Sequence, residues 1–154
     1  TPCLWFNFNA EAAVQFYLDV FKQGRILRTL HYGDAHPELR GKVLLIEFEL
    51  CGQRFQALNG GPHFSFTEAI SLSVECENQA EVDRLWDRLT TDGGSESECS
   101  WLKDKFGLSW QIVPRQLLSM LNDPDPIKAA RAMQAMMTMR KIDIAAIEHA
   151  FHAR

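Results

Sequence analysis

The stretch ALNGGPHFSFTEAISLSVEC, residues 57–76, decides how the chain is organised. It begins at the end of an apolar segment, continues through Gly60, Gly61 and Pro62, and ends in a segment where apolar and polar residues alternate. Consecutive glycines followed by proline are typical of a turn or linker, and alternation with period two is typical of a half-buried β-strand. The stretch therefore predicts a linker that joins two folded halves.

The residues before this linker predict the element order β-α-β-β-β. In the strand predicted at 42–50 the glutamates alternate with the apolar residues, so we expect one polar and one apolar face. Apolar residues recur at helical spacing earlier in the chain, and Asn9 and Gly24 are expected to cap and stop that helix. The predicted elements are a strand at 3–8, a helix at 10–22, and strands at 25–32, 42–50 and 53–58.

The residues after the linker repeat this order about 65 positions later, and repetition at a fixed spacing indicates duplicated structural units. The predicted elements are a strand at 69–76, a helix at 79–93 capped by Asn78, a weak strand near 95–98, and strands within 97–104 and 108–114. We therefore predict an α+β fold of two tandem βαβββ modules, 1–60 and 61–114, with mostly antiparallel sheets, in one compact domain.

Residues 115–154 are predicted to add a helical extension. A short helix at 115–121 precedes a stop-and-restart sequence in which Asp125 is expected to be an N-cap and Pro126 the first helical residue. The next helix carries four methionines between 133 and 139, which give it a broad apolar surface. We expect this surface to pack on the protein's own core or on a partner subunit. Asp143 is expected to open a last helix.

Composition and charge exclude several classes of protein. The chain has 154 residues, 46% of them hydrophobic, which fits one soluble globular domain. A formal charge of -4 argues against a nucleic-acid partner or an anionic membrane, because both attract clustered basic residues. We find no apolar run long enough to span a bilayer and no secretory leader. The expected location is the cytoplasm, with the four cysteines as reduced thiols.

Four long strings carry a family resemblance: LWFNFNAEAAVQFY, FELCGQRFQALNGGPHFSFTEAISLSVEC, WLKDKFGLSWQIVP and DPDPIKAARAMQAMMTMRKIDI. They resemble the PhnB-like, or 3-demethylubiquinone methyltransferase-like, branch of the vicinal oxygen chelate superfamily, which includes glyoxalase I, bleomycin-resistance proteins and extradiol dioxygenases. The resemblance implies two sheets curved around a cavity, and a homodimer whose C-terminal helices help to seal it. The sequence has no glycine-rich strand-turn-helix site for S-adenosylmethionine, so methyl transfer is not predicted.

The resemblance also implies where a metal site would lie. Metal-dependent members hold a divalent ion with four His, Glu or Gln side chains, and the matching positions here are Cys3, Glu47, Ala69 and Gln111. Ala69 has no donor atom, and Cys3 is a soft ligand among hard oxygen donors. A catalytic zinc usually takes three protein ligands, so we predict no metal and no cofactor. The alternative is a divalent metal in a rebuilt site of Glu47, Gln111, His63 and Cys3.

Seven residues are predicted to line a ligand cavity: Trp5, Glu47, His63, Phe64, Phe66, Trp101 and Gln111. Each also has a purely structural interpretation. An aromatic side chain is most often part of the core, and a glutamate on an alternating strand most often faces solvent. Gln111 is equally well explained by a structural hydrogen bond, and His63 by an exposed loop. The stretch NGGPHFSF is first a hinge between modules and second a wall of the cavity.

The functional hypothesis is a metal-independent small-molecule binding protein with a degraded metal site. The alternative is a metal-dependent enzyme of lyase, isomerase or dioxygenase type, and a third is a dimer with no ligand. Neither a nucleophile elbow nor a phosphate-binding loop is present in the sequence. The sequence therefore leaves the question of catalysis open. The expected partners are a small molecule and a second copy of the chain, without nucleic acid or membrane.

Overall fold

The chain folds into two compact units, each built from one β-α-β-β-β sequence. A computed structural model describes residues 1–153. The first unit is Thr1–Phe66, and the second begins at Thr67. Each unit contains one four-stranded mixed sheet, which confirms the predicted α+β class and the duplicated element order.

The first unit contains one helix and four strands. Its elements are β1 (Cys3–Phe6), α1 (Ala10–Phe21), β2 (Gly24–His31), β3 (Val43–Leu50) and β4 (Gln53–Asn59). The strand order is β1-β4-β3-β2, with β1 parallel to β4 and the other two pairings antiparallel. Each predicted element is present, with ends shifted by one or two residues.

The apolar face of the first sheet packs against α1. On β3 the side chains of Ile46, Phe48 and Leu50 are buried, whereas those of Glu47 and Glu49 on the other face are partly exposed. The buried residues of α1 recur at helical spacing and contact β3 and β4. The predicted division of β3 into an apolar and a polar face is confirmed.

The start of α1 corrects one prediction. Asn9 precedes the helix, but its side chain makes no capping hydrogen bond. The cap comes instead from Asn59 at the end of β4, whose Oδ1 accepts the Ala10 N–H at 2.9 Å. The buried Asn59 amide also donates to Glu11 at 2.7 Å and to the Val43 carbonyl at 3.0 Å. One side chain therefore joins the start of the helix to two strands.

The end of α1 corrects a second prediction. The helix ends at Phe21, and its C-cap is Lys22, which has a left-handed φ of 59° and whose N–H donates to the Leu18 carbonyl. Gly24 is not the helix stop but the first residue of β2, where a Cβ atom would collide with the carbonyl oxygen of Glu49. The glycine is therefore required by a close approach of two strands.

The second unit repeats this arrangement and adds three helices. Its elements are β5 (Ser71–Cys76), α2 (Gln79–Thr90), β6 (Ser95–Glu96), β7 (Trp101–Lys103), β8 (Ser109–Pro114), α3 (Arg115–Leu121), α4 (Pro126–Met137) and α5 (Ile144–His152). The strand order is β5-β8-β7-β6. The strand predicted to start at Ala69 starts at Ser71, and the strand predicted as weak has only two residues.

Local capping signals in this unit are confirmed. The Asn78 side chain accepts the Glu81 N–H at 2.9 Å, and the Asp125 side chain accepts the Ile127 N–H at 2.9 Å, with Pro126 in the first turn. Asp143 caps α5 by accepting the Ala146 N–H at 3.0 Å. In each case the cap and its target lie within three positions, which is why the sequence was sufficient to identify them.

The helical extension is joined to the rest of the second unit by polar contacts at its centre. The Gln79 side chain donates to the Ile142 carbonyl and accepts the Ile144 N–H, both at 2.9 Å. Lys141 forms an ion pair with Asp83 at 2.9 Å. Around these contacts α3, α4 and α5 share a hydrophobic cluster: Val113, Leu117, Met120, Ala132, Ile142, Ile147 and Phe151.

Within residues 1–153, the helices are all too short or too polar to cross a bilayer.

The Asn59 contacts generate a stability prediction. Replacing Asn59 with Ala removes the α1 cap and leaves the Val43 carbonyl without its side-chain donor. We expect the free energy of unfolding to fall by about 2–4 kcal/mol, the sum of a lost cap and an unpaired buried group. Urea denaturation followed by circular dichroism measures this change. The matched control is Asn9→Ala, for which we expect a change within about 0.5 kcal/mol because no capping bond is lost. A larger loss for Asn9→Ala than for Asn59→Ala would contradict this account of the helix start.

Candidate functional site

The face of the first sheet opposite α1 carries a row of polar side chains. Strand register places Cys3 beside Gln56, Gln56 beside Glu47, and Glu47 beside Arg28. Two of the sequence-predicted metal ligands, Cys3 and Glu47, thus lie in the same row, with Gln56 between them. The row joins all four strands of the sheet.

Both oxygens of Glu47 are engaged by Arg28. Its Nε donates to Oε2 at 3.1 Å and its Nη2 donates to Oε1 at 2.9 Å. The Arg28 hydrogen bond is the main reason that the pKa of Glu47 lies below its ordinary value, and Gln56 contributes further. A bidentate arginine pair occupies the geometry that a carboxylate would offer to a cation. Glu47 in this position is an ion-pair partner.

The linker closes against an aromatic residue of β1. The Trp5 indole N–H donates to the Gly61 carbonyl at 2.9 Å, and the Phe64 ring meets the Trp5 ring edge to face at 4.9 Å between centroids. A Cβ on Gly60 would lie 2.5–2.6 Å from the Trp5 ring, so only glycine fits there. Phe64 is still 66% exposed, so most of its surface is not covered by this contact.

The other two predicted linker residues differ from each other. Phe66 packs edge to face on Phe6, with centroids 5.4 Å apart. His63 is exposed in the turn that follows Pro62. Of the first-unit residues predicted for the cavity, the structure therefore brings Trp5 and Phe64 together, and Glu47 lies two strands away from Trp5 in the sheet order.

Gln111 is held by a serine of the neighbouring strand. Its Nε2 donates to Ser71 Oγ at 2.8 Å, and strand register places it opposite Ser73 on one side and Trp101 on the other. Ala69, the position that lacks a donor atom, is exposed in the turn before β5. The side chains that flank Gln111 are therefore hydroxyl and indole groups, which are poor partners for a hard divalent cation.

A pocket of about 230 Å³ lies in the second unit, on the same sheet face as Trp101 and Gln111. It is lined by Glu68, Ser95, Glu96, Ser97, Trp101, Leu102, Lys103 and Ser109. Most of these groups are polar. Among the residues predicted for a ligand cavity, only Trp101 is part of this pocket.

Two pocket residues are positioned by a buried aspartate. Asp104 Oδ1 accepts the Phe106 and Leu108 amides at 2.8 and 3.1 Å, and Oδ2 accepts the Trp110 indole N–H at 2.9 Å. These bonds fix the turn between β7 and β8, and register then sets Lys103 opposite Ser109. Asp104 therefore determines the relative placement of two side chains that line the pocket.

Ser109 has an unusual environment. Ser109 is only 1% exposed, and its Oγ has no hydrogen-bond partner. A buried hydroxyl without a partner costs about 1–3 kcal/mol relative to a paired one. A hydroxyl in this state beside a polar pocket is suited to bind an incoming polar group.

The charged groups of the pocket are already paired. Lys103 forms an ion pair with Glu68, and the Lys103 hydrogen bond is the main cause of the lowered pKa of Glu68. Glu96 accepts the Trp86 indole N–H at 2.7 Å and lies 3.8 Å from Arg140. Neither carboxylate presents an isolated negative charge, and the pocket has no isolated positive charge.

The segment between β6 and β7 forms one wall of the pocket and is anchored to the extension. Cys99 and Ser100 have φ angles of 54° and 78°, which non-glycine residues rarely adopt. Their amides donate to the carbonyls of Met139 and Arg140 at 2.8 and 2.9 Å. The connection between α4 and α5 thus holds the strained segment that lies between Ser97 and Trp101.

The donor set does not fit a metal site. In the described part of the chain, residues 1–153, no group of three or more His, Cys, Asp or Glu side chains is close enough to share an ion. Glu47 is bound to Arg28 and Gln111 to Ser71. In the first unit, His63 and Cys3 are both exposed. These residues, as the structure places them, do not fit a bound metal ion.

Sequence reasoning missed Lys103, Ser109 and Asp104. Lys103 and Ser109 follow the period-two alternation that also places Trp101 and Gln111 on one face, so the pattern contained a usable signal. For Asp104 the signal was a single aspartate before Lys105-Phe106-Gly107, a turn composition in which a carboxylate commonly accepts backbone amides.

Comparison with known proteins gives one family and several related structures. The model of the family described as 3-demethylubiquinone-9 3-methyltransferase matches residues 1–113, so α3, α4 and α5 lie beyond the match. A PhnB protein from Bacillus cereus is 33% identical, with 74% of this chain and 97% of that chain covered and a TM-score of 0.66. Among curated proteins, no match is found.

Two more distant structures share the fold. Protein PA1353 from Pseudomonas aeruginosa is 22% identical, covering 73% of this chain and 94% of that chain with a TM-score of 0.61. The fosfomycin resistance protein FosX from Listeria monocytogenes is 15% identical, covering 79% and 94% with a TM-score of 0.57. At these identities the similarity concerns the fold alone.

The role of Asp104 can be tested with an isosteric change. Asp104→Asn keeps the shape but replaces one acceptor oxygen with an N–H₂ group that faces an N–H donor. We expect the free energy of unfolding to fall by about 1–3 kcal/mol, because a buried donor loses its acceptor. The control is Asp87→Asn, an exposed site on α2 with the same change of charge, where we expect about 0.5 kcal/mol or less. Equal effects of the two substitutions in urea denaturation would show that Asp104 does not organise the turn.

Proposed function

The chain belongs to the PhnB-like family described as 3-demethylubiquinone-9 3-methyltransferase, in the vicinal oxygen chelate superfamily, and we propose that it is a small-molecule binding protein that works without a metal ion. Its ligand site includes the pocket of the second unit.

The observation that carries this proposal is the buried hydroxyl of Ser109. Its Oγ is buried without a partner, and Ser109 is one of the residues that line a mostly polar pocket. Buried polar groups in folded proteins nearly always have a hydrogen-bond partner, and the exceptions are commonly explained by function or by a bound molecule. A small molecule that hydrogen-bonds to Ser109 would offset this cost.

The independence from metal rests on Glu47. Among the residues that the resemblance assigns to a metal site, Glu47 is the one carboxylate, and Arg28 bonds both of its oxygens. A cation at Glu47 would have to displace a bidentate guanidinium. In the second unit, Gln111 donates to Ser71. The rebuilt metal site with Glu47, Gln111, His63 and Cys3 remains the alternative to be tested.

Methyl transfer is not part of the proposal, although the family description names it. A site for S-adenosylmethionine of the nucleotide-binding kind needs a parallel sheet with a glycine-rich turn between a strand and a helix. In the first unit the connection from β1 to α1 is Asn7-Phe8-Asn9, and the sheet is mixed. These residues do not fit that cofactor.

The proposal includes a homodimer in the cytoplasm. Members of the superfamily resembled by the sequence commonly dimerise. The exposed apolar side chains of α4 support this: Met133 and Met137, four residues apart on one helix face, are 42% and 63% exposed. Only two of the four methionines pack inward: Met136 and Met139 contact the hydrophobic cluster of the extension, whereas Met133 and Met137 are exposed.

Metal content is the first test of the proposed function. We expect protein purified without chelators to contain far less than one equivalent of zinc, manganese, iron or nickel by elemental analysis. The decisive comparison is between Glu47→Ala and Glu49→Ala, because both glutamates lie on the same face of β3. A stoichiometric metal that is lost in Glu47→Ala and retained in Glu49→Ala would support the enzyme alternative and overturn the proposal.

Light scattering tests the homodimer. We expect a mass of twice the 17.6 kDa chain at micromolar concentration. Met137→Glu introduces a charge on the exposed face of α4 and should shift the equilibrium toward monomer, whereas Gln134→Glu on the same helix serves as a charge control. A monomeric mass for the unmodified protein at this concentration would contradict the dimer.

A further inference from the structure

We propose that the pocket of the second unit recognises a small polyhydroxylated molecule, a monosaccharide or a polyol. This inference rests on the proposed function and names the class of its ligand. It follows from the hydrogen-bonding groups that line the pocket and from the pairing of its charges.

The charged side chains of the pocket make a purely anionic or a purely cationic ligand a poor fit. Glu68, Glu96 and Lys103 line the pocket. A free anion would approach two carboxylates, and a free cation would approach the Lys103 ammonium, at distances where like charges repel. Both carboxylates already have cationic neighbours, Lys103 for Glu68 and Arg140 for Glu96. The ligand that fits best is therefore uncharged.

The polar groups select a ligand that both donates and accepts hydrogen bonds. An ammonium group has three N–H donors, so Lys103 can bind an acceptor while it stays paired with Glu68. The Glu68 carboxylate keeps free lone pairs for a donor. Ser109 Oγ can donate one bond and accept others, and it has none at present. A ligand hydroxyl matches each of these groups, because it is donor and acceptor at once.

Trp101 and the volume of the pocket define the rest of the ligand. An indole gives an apolar wall for the C–H groups of a compact carbon skeleton. A volume of about 230 Å³ equals that of roughly eight water molecules at about 30 Å³ each. This limits the ligand to one compact small molecule, and a single sugar or polyol of five or six carbons is of this order of size.

Binding of ribose, xylitol and glucose to the protein tests the inference. Saturation-transfer NMR and titration should give dissociation constants of the order of 1 mM, as expected for a ligand with few atoms. Ser109→Ala should weaken binding about five- to tenfold, the effect of one lost hydrogen bond in a buried site.

Stability measurements separate binding from folding in this experiment. Ser109→Ala removes a buried hydroxyl that has no partner, so the free energy of unfolding should stay the same or rise. The control is Ser73→Ala, an exposed serine on the same sheet face outside the pocket, which should leave binding unchanged. Equal binding by wild type and Ser109→Ala would overturn the inference.

Further probes distinguish this inference from the proposed function. Inorganic phosphate tests an anionic ligand, and free serine tests a zwitterionic one. Ser109-dependent binding of either, with no binding of the three hydroxylated probes at 50-fold the expected dissociation constant (about 50 mM), would overturn the inference and leave a small-molecule site standing. If a broad library of small metabolites gave no Ser109-dependent binder, both the inference and the proposed function would be wrong.

Discussion

The buried carboxylate of Asp104 is the contact on which the candidate site depends. It accepts hydrogen bonds from two backbone amides and from the Trp110 indole, and these bonds fix the turn between β7 and β8. That turn sets Lys103 opposite Ser109. The segment that follows Ser97 depends on the extension, because the carbonyls of residues 139 and 140 accept the amides of residues 99 and 100. The family match ends at residue 113, so a segment beyond the match supports this wall of the pocket.

The two units use the same scaffold for different local chemistry. In each, one face of a four-stranded sheet is covered by a helix, and the opposite face carries polar side chains. On the first sheet these side chains satisfy one another, and the Arg28–Glu47 pair is the central example. On the second sheet one hydroxyl, Ser109, has no partner. Polar side chains that hydrogen-bond to one another indicate a structural role, and a polar group without a partner beside a pocket indicates a binding role.

Local patterns predicted the fold well because its strands alternate and its caps are short-range. Asn78 and Asp125 bind amides within three positions, so the sequence was sufficient to identify them. Asn9 makes no capping hydrogen bond, and the first amide of α1 is instead bound by Asn59, which is distant in sequence and reaches it through tertiary structure. The role of Glu47 could not be predicted, because its pairing with Arg28 requires the register of β2, which is shifted by an irregularity beside Arg28. Likewise, whether the hydroxyl of Ser109 is satisfied depends on packing, which alternation does not specify.

The central claim is that the pocket of the second unit binds a small molecule through Ser109, independently of metal. A high-resolution crystal structure of the protein grown with a saturating polyol tests it most directly. The account predicts an ordered ligand with one oxygen within hydrogen-bond distance of Ser109 Oγ and another near Lys103 Nζ, and Glu47 still paired with Arg28. A divalent cation held by Glu47 together with two or more further protein atoms, and a second-unit pocket filled only by water, would contradict it.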